Sequence, residues 1–322
     1  MFAVAAVSQS TTDPLAGLHV GELAEPAVPA DWVTVDVVAS ALNHHDLWSL
    51  KGVGLPADRL PMILGCDAVG HDAQGNRVIV YPVITSPNWA GDATMDPRRS
   101  LLSEVFPGTL AERVRVPVGN LVPVPEGLPW EQAACLPTAW LTAYRMIFTN
   151  AGVAPGDTIL VQGAGGGVAT AAIALGAAAG IRVWATSRDA AKLEVARELG
   201  AADVFASGAR LPERVDAVLE TVGAATWSHS VNALRPGGTI VISGATSGDA
   251  PARAELTKIF FKQLRVVGST MGTREELARL ARFVADRGIS PLIDSVLPLA
   301  QAREGFAKMA AGEVNGKIVF RT

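Results

Sequence analysis

Ile159-Leu-Val-Gln-Gly163-Ala-Gly165-Gly-Gly167-Val-Ala169 is the stretch on which the reading of this chain turns. An apolar strand pattern runs into a glycine turn, and the turn runs into an apolar helix. Glycines let the backbone reverse sharply and let a pyrophosphate approach the helix N-terminus. There, unpaired N–H groups and the helix dipole favour negative charge. The spacing Ala164-x-Gly166-x-x-Ala169 fits a relaxed form of the dinucleotide fingerprint, with alanine where close helix–strand packing still tolerates a methyl. A second strand pattern at 181–186 follows. That context separates a dinucleotide-binding unit from an ordinary glycine turn.

Downstream, strand patterns at 203–205, 216–220, 239–243 and 264–269 alternate with helical ones. Residues 189–199 read as a helix closed by Gly200. Strands that alternate with helices at this spacing imply a parallel sheet covered on both faces. Thr273 opens a further helix, with Glu276 completing a capping box and Leu277, Leu280 and Val284 marking its buried stripe. Upstream of Pro129 the character differs. Short strand patterns at 34–38, 76–80 and 112–116 are separated by prolines, and 82–107 has little periodicity and reads as a surface lobe. A last strand pattern lies at 317–320. The expected fold class is α/β, a Rossmann doubly wound parallel sheet at 128–268 set between 1–127 and 269–322.

The bulk numbers narrow the function. With 322 residues, 49% hydrophobic and 18% charged, the chain has enough apolar sequence for two cores. A net charge of −4 gives no basic field, so no nucleic-acid partner is expected. The uncharged run 158–181 is long enough to suggest a membrane span, but its clustered glycines split it into strand, turn and helix, so no membrane partner is expected. The first fifteen residues lack a basic region, a long apolar stretch and a clear cleavage site, and a cytoplasmic location is expected. Cys66 and Cys135 are too few for a disulfide framework or a cysteine-rich zinc site.

The end of the second strand bears on the cofactor. An NAD site calls for an acidic residue there to hold the ribose 2′-hydroxyl. The chain has Thr186-Ser187-Arg188, with Lys192 a turn later. A hydroxyl and two cations suit a 2′-phosphate, so NADP(H) is preferred over NAD(H). Asp189 falls at the start of the next helix, where an acid is normal. Arg188 and Lys192 as plain surface charges remain the other reading.

Further segments carry a resemblance: Ala41-Leu-Asn43-His-His-Asp46-Leu-Trp48, Leu64-Gly65-Cys66-Asp67-Ala-Val-Gly70, Ala133-Ala-Cys-Leu-Pro137, Val222-Gly-Ala-Ala-Thr-Trp227, Ser243-Gly-Ala-Thr-Ser-Gly248, the run from Phe260 to Gly272, and Gly316-Lys-Ile-Val. With the glycine turn, they resemble the medium-chain dehydrogenase/reductase superfamily over essentially the whole length. The similarity is greatest to its quinone oxidoreductase and zinc-type alcohol dehydrogenase-like branch. The resemblance implies a GroES-like, mostly β catalytic domain built from both ends of the chain, with a Rossmann domain between them. It also implies an active site in the cleft and a homodimer formed through the Rossmann sheet edge.

The resemblance also assigns candidate residues. Positions matching the catalytic zinc ligands are Asn43, Cys66 and Thr138, and only Cys66 suits zinc. The 82–107 lobe, which matches the structural zinc site, has no cysteine. No metal is expected. A substitute site on His44 or His45 with Cys66 and Asp67 is set aside, because neighbouring side chains on a strand face opposite ways. Asn43 is the candidate donor to the acceptor oxygen, Thr142 lies at a position against the nicotinamide, and Asp46 either holds its turn or contacts a ribose. Trp48 and Trp140 line the pocket or belong to the core. Cofactor contacts are expected from Gly163, Gly166, Gly167, Val168, Ser187, Arg188 and Lys192. Thr221, Val222, Gly244, Ala245, Thr246, Ser269, Met271 and Lys317 complete that set. The position of the phosphate-binding tyrosine of NADPH-dependent relatives is Ser207.

Without a Lewis acid, an acceptor whose charge spreads over an enolate or hydroquinone anion asks least of the protein. The expected activity is therefore NADPH-dependent reduction of a quinone or α,β-unsaturated carbonyl. An alcohol or ketone dehydrogenase and a non-catalytic NADP(H)-sensing protein are the alternatives.

Overall fold

The computed structural model describes residues Met1–Thr322, which divide into two compact units, 1–139 with 272–322, and 140–271. The glycine-rich stretch lies in the second. There, Thr158–Gln162 pairs in parallel with Arg182–Ser187 on one side and Val215–Glu220 on the other. Asp203–Ala206 extends the first side, and Leu234–Ile242 and Arg265–Gly268 extend the second, giving a six-stranded parallel sheet. Strand order thus reverses beside Thr158–Gln162, the place where ligands bind in open α/β sheets. That strand is buried at every residue because helices cover both faces, which is why its sequence is an apolar run without alternation.

The helix Gly167–Ala178 is buried from Ala169 to Gly176. Close approach to the sheet depends on Gly176, where a Cβ would stand 2.7 Å from Val183 Cγ2. Gly200 closes the helix Ala190–Glu198 at φ +101°, in the left-handed region open to glycine. The expected strand at 239–243 is the second half of a longer one, Leu234–Ile242, whose register shifts where Val215 gives way to Ala217.

In the other unit, Val33–Ala41 is the organising strand. It pairs antiparallel with Asp67–Asp72, Arg113–Val116 and the C-terminal Lys317–Arg321. The return segment therefore belongs to this unit by direct strand pairing. Phe306 and Phe320 pack from it onto Leu42, Leu50 and Leu64 in one core. The helix Trp130–Ala134 packs on Val33–Ala41 and Asp67–Asp72, so 128–139 stays with this unit, later than the break expected at 127.

The 82–107 lobe is held by a short antiparallel pair, Val83–Ile84 with Ser100–Leu101, and by the buried Asp96. Its carboxylate accepts from Ser86 N and Oγ at 2.6 and 2.7 Å and from Arg98 N at 2.8 Å. No helix is long and apolar enough to cross a membrane.

One local expectation is corrected. Residues 44 and 45 do not lie on a strand. They open the helix His44–Leu50, and the strand before it ends at Ala41. Successive side chains there are turned by about 100° rather than set on opposite faces.

Candidate functional site

In the 140–271 unit, the glycine turn links the strand Thr158–Gln162 to the helix Gly167–Ala178, as expected. Gly163 takes φ +81°, and Gly166 caps the helix Gly167–Ala178. Gly165 has a specific neighbour: a Cβ there would lie 2.5 Å from Lys192 Cδ and 3.2 Å from its Nζ. Lys192, half-buried on the following helix, thus lies across the turn. Ser187 accepts from Asp189 N at 3.0 Å, and Arg188 is exposed beside it. Asp189 is the helix N-cap, with its carboxylate on Ala191 N at 2.9 Å. The acid nearest the strand end is occupied in capping.

The turns after the next two strands are tied to each other. Ser247 N donates to Val222 O at 2.7 Å, Thr246 N to Thr221 O at 3.3 Å, and Ala224 N to Gly248 O at 2.9 Å. Gly223, at φ +91°, lies so close that a Cβ would stand 2.5 Å from Gly248 O. Thr221, Val222, Gly244, Ala245 and Thr246 are thereby gathered at one end of the sheet. Ser269 accepts from Asn150 Nδ2 at 2.9 Å, and Met271 takes φ +50°. Thr142 is buried in the helix Leu141–Arg145.

Beneath these turns lies a buried polar chain that sequence reasoning missed. Thr186 donates to Gln162 Oε1 at 2.6 Å. Gln162 Nε2 donates to His229 Nδ1 at 2.8 Å and to Ser230 Oγ at 3.0 Å. Ser230 donates to Glu220 at 2.6 Å, and Glu220 also accepts from Val222 N, Gly223 N and Thr226 Oγ1 at 2.8 to 3.0 Å. His229 Nε2 faces Ala209 O at 2.9 Å, so it carries the proton and Nδ1 is the acceptor. Every donor in the chain has a matching acceptor, which fixes the Val222–Gly223 backbone from below. The only sequence signal was a glutamate ending an apolar strand.

In the other unit, Asn43 precedes the helix His44–Leu50. Asp46 reaches back to Asn43 N at 2.9 Å and across to Gly65 N at 2.9 Å, so it holds the turn. Burial pushes its carboxyl up from the ordinary aspartate value. The Asn43 side chain is engaged as well. Its Nδ2 donates to Asp67 Oδ2 at 2.9 Å, and its Oδ1 accepts from Lys317 Nζ at 2.6 Å. Lys317, 2% exposed, also donates to Leu42 O at 2.8 Å and to Asp67 at 3.0 Å. All three of its protons meet protein acceptors. The Lys317 ammonium, expected at the cofactor, is thus engaged in holding Asn43 and Asp67. Asn43 retains only the N–H whose nearest protein acceptor is Ala41 O, at 3.4 Å.

The positions that resemblance assigns to zinc do not fit that ion. Asn43 Oδ1 already meets an ammonium, and Thr138 contributes a neutral hydroxyl that is buried without a hydrogen-bond partner. Only Cys66 offers a suitable donor. Its surroundings lie on the other side of the turn. Cys66 Sγ is 3.6 Å from His45 Nδ1 and donates to Leu102 O at 3.2 Å, while His45 Nε2 meets Glu104 Oε1 at 3.1 Å. Burial pushes the Cys66 thiol up. For His45, burial works against a charge, but Cys66 and Glu104 prevail and hold it well above the ordinary imidazole value. His44 is exposed and takes no part. Trp48 is a surface residue of the helix, and Trp140 belongs to the core.

Comparisons with known proteins agree with this architecture. The alcohol dehydrogenase GroES-like domain matches residues 29–126 and the zinc-binding dehydrogenase domain matches 167–286. The chain is 28% identical to an acryloyl-coenzyme A reductase of Sulfurisphaera tokodaii, over 96% of this chain and 97% of that one. Among solved structures, an NAD-dependent alcohol dehydrogenase superposes with a TM-score of 0.92 at 34% identity, over the full length of both chains. The 2-octenoyl-CoA carboxylase reductase CinF, in complex with NADP and 2-octenoyl-CoA, superposes with a TM-score of 0.90 at 25% identity, over 99% of this chain and 87% of that one.

Proposed function

Because the chain belongs to the medium-chain dehydrogenase/reductase superfamily and is an NAD(P)H oxidoreductase, we propose that it reduces an α,β-unsaturated carbonyl compound, with NADPH preferred and without a catalytic zinc. The observation that carries this reading is the ammonium of Lys317 on Asn43 Oδ1, where a zinc enzyme would place a thiolate and its metal. An enoyl acceptor asks for no metal, because hydride addition at its β-carbon leaves an enolate whose charge is spread over carbon and oxygen. A quinone meets the same condition. A simple ketone leaves a localised alkoxide and does not.

When bound, the nicotinamide supplies the hydride. The protein's part is to bind and orient. The Gly163–Gly167 amides cradle the pyrophosphate, and Lys192 with Arg188 and Ser187 takes the 2′-phosphate. The paired turns at 221–223 and 244–247 line the cofactor. Asn43, Asp46 and Thr142 remain the candidates nearest the chemistry. Asp46 sets the backbone of the turn, and Asn43 offers a single N–H. The preference for NADPH rests on Lys192 over the glycine turn and on Asp189 being engaged as a cap.

The enzyme works in the cytoplasm as a homodimer on this reading. The edge strand Arg265–Gly268 has an open side, and Leu256, Phe260 and Phe261 beside it are 69%, 62% and 75% exposed. A second copy adding its own edge strand covers them.

The test is oxidation of NADPH and NADH by the purified chain with an enoyl thioester, an enone, a quinone and a saturated ketone. Oxidation of NADPH should be at least about tenfold faster with the enoyl acceptors than with the ketone, a difference of about 1.4 kcal/mol in barrier. Tight NADPH binding with no turnover on any acceptor would leave a sensor, and alcohol oxidation that requires added zinc would leave a metal-dependent dehydrogenase.

A further inference from the structure

The hydrogen bonds around Cys66 and His45 leave one contact that a proton or a metal ion can fill. Cys66 gives its S–H to Leu102 O, and His45 gives Nε2–H to Glu104. Their remaining contact sets Sγ 3.6 Å from Nδ1. It closes either on a second ring proton, in keeping with the raised His45 value, or on a cation that takes both lone pairs. The third side is closed by Asp46, whose carboxylate, Cys66 Sγ and a His45 ring nitrogen all fall within 4.8 Å of one another. Asp46 uses one lone pair of each oxygen on a backbone N–H, and each oxygen keeps another.

We propose that Cys66, His45 and Asp46 form a site for one thiophilic divalent cation of the zinc class, which pins the helix His44–Leu50 to the turn at 64–66, beside the 82–107 lobe. The distances suit it. A tetrahedral zinc with bonds of about 2.0 Å to nitrogen and about 2.3 Å to sulfur holds those two atoms about 3.5 Å apart. Glu104 stands where a carboxylate supports a metal-bound histidine, on the opposite ring nitrogen, and it fixes the tautomer that turns Nδ1 inward. Ser103, next to it, holds φ +71° although it is not glycine, and its hydroxyl lies 3.7 Å from Cys66 Sγ. A thiolate and a carboxylate balance a divalent charge in a place where Cys66 and Asp46 are wholly buried.

The ligand set is displaced from positions 43, 66 and 138, and shares only Cys66 with them. The ion has Glu104 and Leu102 of the lobe beside it, which suits a structural role, and Asp46 would serve both the ion and the turn that carries Asn43. On loading, Cys66 releases its proton to solvent, and any proton held on His45 Nδ1 leaves with it. The bonds formed are metal–sulfur, metal–nitrogen and metal–oxygen, and no oxidation is involved.

The test is cobalt(II) titration of the chelator-stripped, reduced full-length protein, read by the near-ultraviolet sulfur-to-cobalt charge-transfer band and by the thermal midpoint. The expected result is a saturable band at one ion per chain and a raised midpoint, reversed by chelator. Cys135→Ser should keep the band, since burial pushes that thiol up to about 12 and it has no histidine beside it. Cys66→Ser should abolish it. Glu104→Gln, an isosteric change at a partly exposed position, should weaken binding by about 10- to 100-fold. A missing band in stripped wild-type protein, a band that survives Cys66→Ser, or one indifferent to Glu104→Gln overturns the proposal. None of these readings depends on turnover.

Discussion

Two buried carboxylates, one in each unit, are held in opposite ways. Glu220 is 1% exposed and accepts from backbone amides and hydroxyls on both oxygens. Asp67 is fully buried, shares one oxygen between the Asn43 amide and the Lys317 ammonium, and leaves Oδ1 with no hydrogen-bond partner. The first is a frame built from neutral dipoles supplied by nearby sequence. The second depends on a counter-charge 250 residues away, on the strand that closes the catalytic unit. A frame made locally fixes the backbone of one turn. A charge pair made at long range ties the two ends of the chain together and sets the electrostatics around Asn43.

The largest effect should come from breaking the charge pair. Lys317→Met leaves Asp67 buried and uncompensated and should cost about 3–5 kcal/mol of unfolding free energy in urea. Combining it with Asp67→Leu should restore part of that loss, because the orphaned charge is gone. A single variant as stable as the parent would dissolve the contrast. Glu220→Gln is expected to be milder, about 1–3 kcal/mol, since one amide NH2 then faces donors instead of accepting from them. It should also weaken NADPH binding by loosening the Val222–Gly223 turn, which isothermal titration checks.

The two lysines of these sites extend the comparison. Lys317 uses its whole charge inside the protein, whereas Lys192 lies across the glycine turn proposed to hold the cofactor. Lys192→Met should raise the NADPH dissociation constant by about tenfold or more, the size of one hydrogen bond to a charged group, with a smaller effect on NADH. Equal effects on the two cofactors would move Lys192 from the 2′-phosphate to the pyrophosphate.

What the sequence disclosed follows from the range of the forces involved. The glycine turn, the strand–helix alternation, the Gly200 stop and the Thr273–Glu276 capping box are local patterns, and all stand in the structure. The turns at 221–223 and 244–247 were placed by resemblance, and their mutual hydrogen bonds explain the grouping. The Lys317 contacts were not legible, because they join residues from opposite ends of the chain, and a lysine in a strand carries no mark of its partner. The helix at 44–50 was missed in weighing His44 and His45, although Asn43 and Asp46 have the spacing of an N-terminal capping pair. Once those residues are on a helix, His45 turns to Cys66 and Glu104 while His44 turns to solvent.

The smallest predicted effect tests whether Glu220 is held by several donors in common or by one of them. Thr226 donates its hydroxyl to both Glu220 oxygens at 2.9 Å and lies buried just before the helix Trp227–Ala233. Thr226→Val keeps the shape and removes that donor. Ser230, Val222 N and Gly223 N remain, so the carboxylate stays partnered and the cost should be only about 1 kcal/mol. Asp67 has only the Asn43 amide in reserve, and its charge is balanced by a single ammonium. If Thr226→Val costs as much as Lys317→Met, the Glu220 cluster is not a redundant frame, and the difference between the two carboxylates is one of position rather than of kind.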